Sequence, residues 1–356
     1  MPFQPTNLSE FHNDVFENTT LGQLCGTDER FRDRYLVLRM LGRGGFGVTF
    51  LARDMMLPGK PFCVIKQLCP RVSELRALDT ARHRFKREAK ILATLGSHSQ
   101  IPMLLDYFVL EDEFYLVQEY IKGATLARLV RRQGVQPEAI VRRILREVAK
   151  LLHFVHSQGV IHRDIKPQNI ILSQDRQIVL IDFGAVKAEL AGIADSSIQN
   201  GVTTHFVGTV GFAPPEQFSL RPVYSSDLYA LGVTCLYLLT GKAPLDFKSN
   251  PRTGELFWQD KVQVSRSFHQ ILTQMLRPTP QDRYQTAAEI LAAMEAVSPQ
   301  DNLSNCMNST PVTPPTGSAA PQRISSLART AEAIRIRNGR RAAQPHPPRN
   351  VLQSSG

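Results

Sequence analysis

The chain has 356 residues, 42% of them hydrophobic, and a formal net charge of +10. That much apolar material supports one two-lobed domain with flanking segments. From Pro299 onward there are seven Arg against Asp301 and Glu332, half of the excess charge, so the rest of the chain gives little reason to expect nucleic acid.

Cys25, Cys63, Cys69, Cys235 and Cys306 lack the paired spacing of a zinc site or a disulfide framework and read as free thiols in a reducing cytosol. No window approaches the ~18 uninterrupted apolar residues of a membrane span. The first residues have no basic stretch followed by an apolar core, so they do not form a secretion signal. The expectation is a cytoplasmic protein.

Residues 1–34 are polar and aperiodic, a leader or a short lobe-capping extension. Residues 35–41 read as a strand that runs into Gly42, Arg43, Gly44, Gly45, Phe46 and Gly47, with Val48, Thr49 and the following apolar residues returning. The glycine spacing G-x-G-x-x-G also marks dinucleotide-binding folds, but there a helix follows. Here a strand follows, so the glycines sit at a hairpin tip that can fold over phosphates; a glycine hairpin without a ligand is the plain alternative.

Phe62 to Lys66 is a strand run ending in a lysine, where a snorkelling surface residue is the ordinary reading. Residues 80–96 have helical periodicity through Phe85, Ile91, Leu92 and Leu95 and carry Glu88. Residues 114–120 read as a buried strand, and a helix follows with Thr125 as its cap. The next helix, 137–156, is apolar at Ile140, Ile144, Val148, Leu151, Leu152 and Val155, with Arg142, Arg143 and Arg146 as a solvated face. Residues 224–239 form a strongly apolar helix with Asp227 near its start. An irregular stretch follows, then closing helices at 267–276 and 286–297 and a basic Pro/Ser-rich tail, 298–356, expected to be disordered.

Between these helices lie His162-Arg163-Asp164, Asn169 five residues on, and Asp182-Phe183-Gly184. Further on come Gly208-Thr209, Pro214-Pro215-Glu216 and Asp282-Arg283-Tyr284. With the glycine hairpin and Lys66, these resemble, in order, the signatures of the bacterial eukaryotic-like (Hanks-type) serine/threonine protein kinases, in wording most like the cyanobacterial ones. The resemblance spans residues 35–297. It implies an α+β, two-lobed protein kinase fold, with a small β-rich N-lobe (about 35–120) holding one key helix and a larger, mainly helical C-lobe (about 121–297). Thr49 stands where Val is usual, Val64 where Ala is, Phe212 for Tyr and Pro214 for Ala.

The resemblance also assigns roles. Leu41 and residues 42–49 would cover ATP, Val64 would roof the adenine, Ile171 would floor it, and backbone groups of Glu119 and Ile121 would meet its edge beside Gln118. Lys66, held by Glu88, would orient the α- and β-phosphates. Asp164 would orient the substrate hydroxyl and accept its proton, and Lys166 would neutralise the migrating γ-phosphoryl. Asn169 and Asp182 would bind Mg²⁺, with Mn²⁺ an alternative. Lys166 and Thr209 mark the Ser/Thr type. Arg163 implies control by a phosphate, expected on Thr203 or Thr204. Asp227 would hold the catalytic loop from below, and Glu216 would pair with Arg283.

The implied activity is ATP-dependent phosphorylation of Ser/Thr in proteins, with autophosphorylation through a transient dimer. A pseudokinase scaffold and a small-molecule phosphotransferase are the rivals. The first needs a lost catalytic group; the second lacks the segment from Gly208 to Glu216.

Overall fold

Short apolar alternations early in the chain and long helical periodicities later divide its architecture in two. The computed structural model describes residues 13–43, 47–68, 75–110, 113–185, 187–188 and 211–296. Its first part is a six-stranded antiparallel sheet of β1 (Arg30–Phe31), β2 (Tyr35–Arg43), β3 (Gly47–Asp54), β4 (Phe62–Leu68), β5 (Leu104–Leu110) and β6 (Glu113–Glu119), ordered β1-β2-β3-β4-β6-β5.

Successive strand residues point to opposite faces. Val37, Val48, Phe50, Ala52, Ile65, Tyr115 and Val117 therefore share one buried face. Two short helices, α1 (Asn13–Asn18) and α2 (Thr20–Gln23), precede β1, and Val15, Leu21 and Phe31 of this leading segment are buried in the same core. Residues 13–31 thus cap the lobe. Leu116, between Tyr115 and Val117, points the other way and joins Phe85, Ile91, Leu92 and Leu95 of α3 (Leu75–Leu95).

The second part is mainly helical. A three-stranded sheet of β7 (Gly123–Thr125), β9 (Ile170–Ser173) and β10 (Ile178–Leu180) lies in it, as does the two-stranded pair β8 (Val160–Ile161) with β11 (Lys187–Ala188). The helices are α4 (Leu126–Gln133), α5 (Glu138–Ser157), α6 (Pro215–Phe218), α7 (Tyr224–Thr240), α8 (Arg266–Met275) and α9 (Ala287–Ala296). The Thr125 hydroxyl accepts the Arg128 N–H at 3.2 Å and so caps α4. Helix α7 is apolar around its whole circumference and buried from Ser225 to Leu236, which makes it the axis of this lobe. Among the described residues no helix is long and apolar enough to cross a membrane.

Two expectations for α5 need correction. Ile140 is 41% exposed, and Val141 leads the buried stripe through Leu145, Val148 and Leu152. A step of one residue turns 100° around a helix, which puts Val141 on the packed face and leaves Ile140 off it. Arg142 is not solvated either. It pairs with Glu138 at 2.8 Å, donates to Ser267 Oγ at 2.8 Å and lies over the Phe268 ring, docking α5 on α8.

Candidate active site

Strand register decides which side chains face the second lobe. Thr49 pairs with Lys66 and Leu51 with Val64, so these four share the face turned away from the capped core. Val48 pairs with Gln67 and is buried among Phe50 and Ile65. The Val48 side chain therefore does not line the nucleotide face expected of it; only its backbone borders that side. Around Gly42 a Cβ would meet nothing within 4 Å, whereas at Gly47 it would stand 2.5 Å from the Gln67 carbonyl oxygen. Gly47 is thus required for β3 to close on β4, and Gly42 faces open space. Leu41 is exposed, and Arg43 ends β2 half-buried. Gly44, Gly45 and Phe46 lie outside the described residues.

Lys66 leaves β4 toward two carboxylates. Its Nζ stands 2.7 Å from Glu88 Oε1 on α3 and 2.8 Å from Asp182 Oδ1. Burial opposes the lysine charge, but Asp182 and Glu88 together outweigh it and raise the Lys66 pKa. The Lys66 ammonium holds Asp182 down to about 2 against the opposing effect of burial. Glu88 is raised instead, because its burial outweighs the attraction of Lys66. A Cβ on Gly184 would sit 3.1 Å from Glu88 Oε2, so this glycine lets Glu88 approach closely.

Asp164, Lys166 and Asn169 form a second cluster. Lys166 Nζ stands 2.7 Å from Asp164 Oδ2. The Asn169 amide donates to Asp164 Oδ2 at 2.8 Å and to the Asp164 carbonyl at 2.9 Å. Ile181 N–H donates to the Asn169 carbonyl at 2.9 Å, tying this loop to the residue before Asp182. Arg163 (φ 68°) and Asp182 (φ 66°) are both left-handed. Such backbone costs a non-glycine residue about 1–3 kcal/mol and persists only where its surroundings impose it.

Those surroundings are visible. Asp227 Oδ2 accepts the His162 N–H and Oδ1 the Arg163 N–H, each at 2.8 Å, and His156 Nε2 stands 2.9 Å from Oδ2. Burial raises the Asp227 carboxyl, but His156 and the His162 N–H outweigh it and hold it below the usual range. The His162 ring is fully buried, packs edge-on to Phe183, and has its pKa lowered by burial. Arg283 gives Nη1 to Glu216 Oε1 at 2.6 Å and Nη2 to Oε2 at 3.1 Å, while Ser226 Oγ donates to Oε1 at 2.7 Å. Motif reading did not single out His156, Ser226 or Gln217; the sequence signal for the last two was only their place beside Asp227 and Glu216.

The remaining expected residues are less closely engaged. Gln118 and Val64 are buried, facing each other across β6 and β4. Glu119 N–H donates to the Met103 carbonyl, and burial raises its carboxyl. Ile121 is half-buried just beyond β6, and Ile171 lies half-buried in β9. Thr203, Thr204 and Thr209 lie outside the described residues.

Two ammonium groups, three carboxylates and an amide thus converge where the lobes meet. The ammonium groups suit phosphate oxygens. Asp182 and Asn169 offer hard oxygen donors of the kind a divalent cation takes.

Comparison with known proteins gives the family. Residues 35–295 match the model of the protein kinase domain. The chain is 47% identical over 303 residues to Serine/threonine-protein kinase B of Synechocystis sp., covering 84% of this chain and 53% of that protein. It is 44% identical over 266 residues to Serine/threonine-protein kinase PknA of Nostoc sp., 74% of this chain and 47% of the other. It is 32% identical over 289 residues to Serine/threonine-protein kinase PknB of Mycobacterium tuberculosis, 76% of this chain and 44% of the other. The chain spans about half the length of these relatives.

Proposed function

The chain belongs to the protein kinase family, and from that premise we propose that it transfers the γ-phosphoryl group of ATP to Ser or Thr hydroxyls of proteins. The observation that carries this is the Lys66 bridge to Glu88 and Asp182, 2.7 and 2.8 Å long, beside the Asp164–Lys166–Asn169 cluster. Phosphoryl transfer asks for positioning and charge neutralisation more than covalent chemistry, and these groups supply both.

Lys66, steadied by Glu88, holds the α- and β-phosphates. Asp164 accepts a hydrogen bond from the substrate hydroxyl, orients it toward the γ-phosphorus and takes its proton late. Lys166, whose Nζ lies 2.7 Å from Asp164 Oδ2, neutralises the migrating phosphoryl oxygens. Asn169 and Asp182 would hold Mg²⁺, whose charge offsets that of the phosphates. Arg163 pairs with a phosphate on Thr203 or Thr204, placed there by a second copy of the chain.

Incubation with labelled ATP and Mg²⁺ tests this reading. Label on serine or threonine of the chain itself, including Thr203 or Thr204, is the expected result. Absence of label from wild type, or equal label in wild type and Asp164→Asn, would overturn it.

A further inference from the structure

We propose that Gln217 is a positioning residue for phosphoryl transfer, fixing the peptide that carries Asp164; this rests on the kinase reading above. Gln217 Nε2 donates to the Arg163 carbonyl oxygen at 2.6 Å, and Gln217 is 3% exposed. That carbonyl belongs to the same peptide unit as the Asp164 N–H, which itself donates to His162 Nδ1 at 3.3 Å. The plane is therefore gripped at its oxygen by Gln217 and at its hydrogen by His162.

The preceding N–H groups, of His162 and Arg163, are held by Asp227 from α7. Arg163, at φ 68°, is thus held on one side by Asp227 and on the other by Gln217. A left-handed non-glycine residue relaxes when one of its restraints is removed. Rotation of the Arg163–Asp164 peptide swings the Asp164 Cα–Cβ bond and carries its carboxylate off the substrate hydroxyl.

Gln217 is itself rigidly mounted. It lies in α6 directly after Glu216, which Arg283 and Ser226 fix in place, and its own N–H donates to the Pro214 carbonyl at 3.0 Å. A buried amide requires bonded partners, and the Arg163 carbonyl is one. The Glu216–Arg283 pair thereby connects to Asp164 through one side chain.

Three variants separate positioning from packing. Gln217→Met keeps the volume and deletes the donor. It is expected to lower kcat by about 10- to 100-fold, the cost of a misplaced catalytic group, with KM for ATP within about twofold and the urea midpoint of unfolding nearly unchanged. In Gln217→Glu only the protonated acid can donate to the Arg163 carbonyl. Its kcat relative to wild type should therefore fall as pH rises from about 6 to about 8.5, the range reached by buried glutamates. Gln217→Asn, too short to reach, should resemble Gln217→Met.

Wild-type kcat in Gln217→Met, or a Gln217→Glu to wild-type ratio independent of pH, would overturn the proposal. Hydrogen exchange across residues 162–169 reads the same restraint without turnover: faster exchange there in Gln217→Met supports the proposal, and unchanged exchange overturns it. Wild-type protein that transfers no phosphate would refute the kinase reading, while the exchange result would still decide the role of Gln217.

Discussion

The Arg283 guanidinium grips both oxygens of the Glu216 carboxylate, at 2.6 and 3.1 Å, with Arg283 only 2% exposed. It also donates to the Arg277 and Pro278 carbonyls and lies over the Tyr229 ring. Removing one partner of such a pair leaves an uncompensated buried charge. Arg283→Met should destabilise the protein by about 3–5 kcal/mol, measured by urea unfolding. Arg283→Lys should not restore the loss, because an ammonium cannot reproduce the planar fork. A loss below about 1 kcal/mol would place the pair among weak surface bridges.

Glu88 should separate activity from stability. Burial raises its carboxyl despite Lys66, so its ionised form is held by the fold at a cost. Glu88→Gln should lower kcat/KM for ATP by about 10- to 100-fold through a mispositioned Lys66. Lys66 keeps Asp182 at 2.8 Å as a partner in this variant, so the loss of unfolding free energy should stay below the roughly 3–5 kcal/mol of a fully orphaned buried charge. Steady-state kinetics with chemical unfolding of the same preparation checks both halves.

Acid should weaken the fold through Asp182 and Asp227. Both carboxyls lie below their ordinary range in the folded protein, Asp182 at about 2. As pH falls from about 4, the unfolded chain takes up protons that the folded chain still refuses. The stability these groups contribute is complete above about pH 4 and is lost as pH falls toward 2. Asp182→Asn lacks one of the two, so its urea midpoint should fall less steeply over that window. The Asp182 side chain is 41% exposed, and solvent trims the effect accordingly. A slope equal to that of wild type would contradict the assignment.

The leading segment should matter to the small lobe. Phe31 is buried with its ring centroid 4.8 Å from that of Tyr115 and 6.0 Å from that of Phe108. Phe31→Ala should cost about 3–5 kcal/mol, read as a lowered unfolding midpoint.

The groups nearest the chemistry were legible because short loops set them at fixed spacing: Asp164 with Lys166 and Asn169, and Asp182 with Gly184. Lys66 and Glu88 were legible as positions on a strand and a helix, but their 2.7 Å contact depends on how the two elements pack. The opposite orientations of Val48 and Thr49 follow from strand register, where one residue of slip reverses every side chain. Val15, Leu21 and Phe31 sit in a segment too polar and aperiodic to announce a core contribution. His156 and Gln217 look like ordinary helical polar residues until α7 and the catalytic loop are brought beside them.

Phosphate transfer from ATP to serine or threonine of a generic protein substrate, compared between wild type and Asp164→Asn, tests the central claim most directly. Transfer by wild type and a loss of at least about 100-fold in Asp164→Asn is the predicted result. Equal transfer by the two proteins, or none by wild type with Mg²⁺ and ATP present, would contradict it.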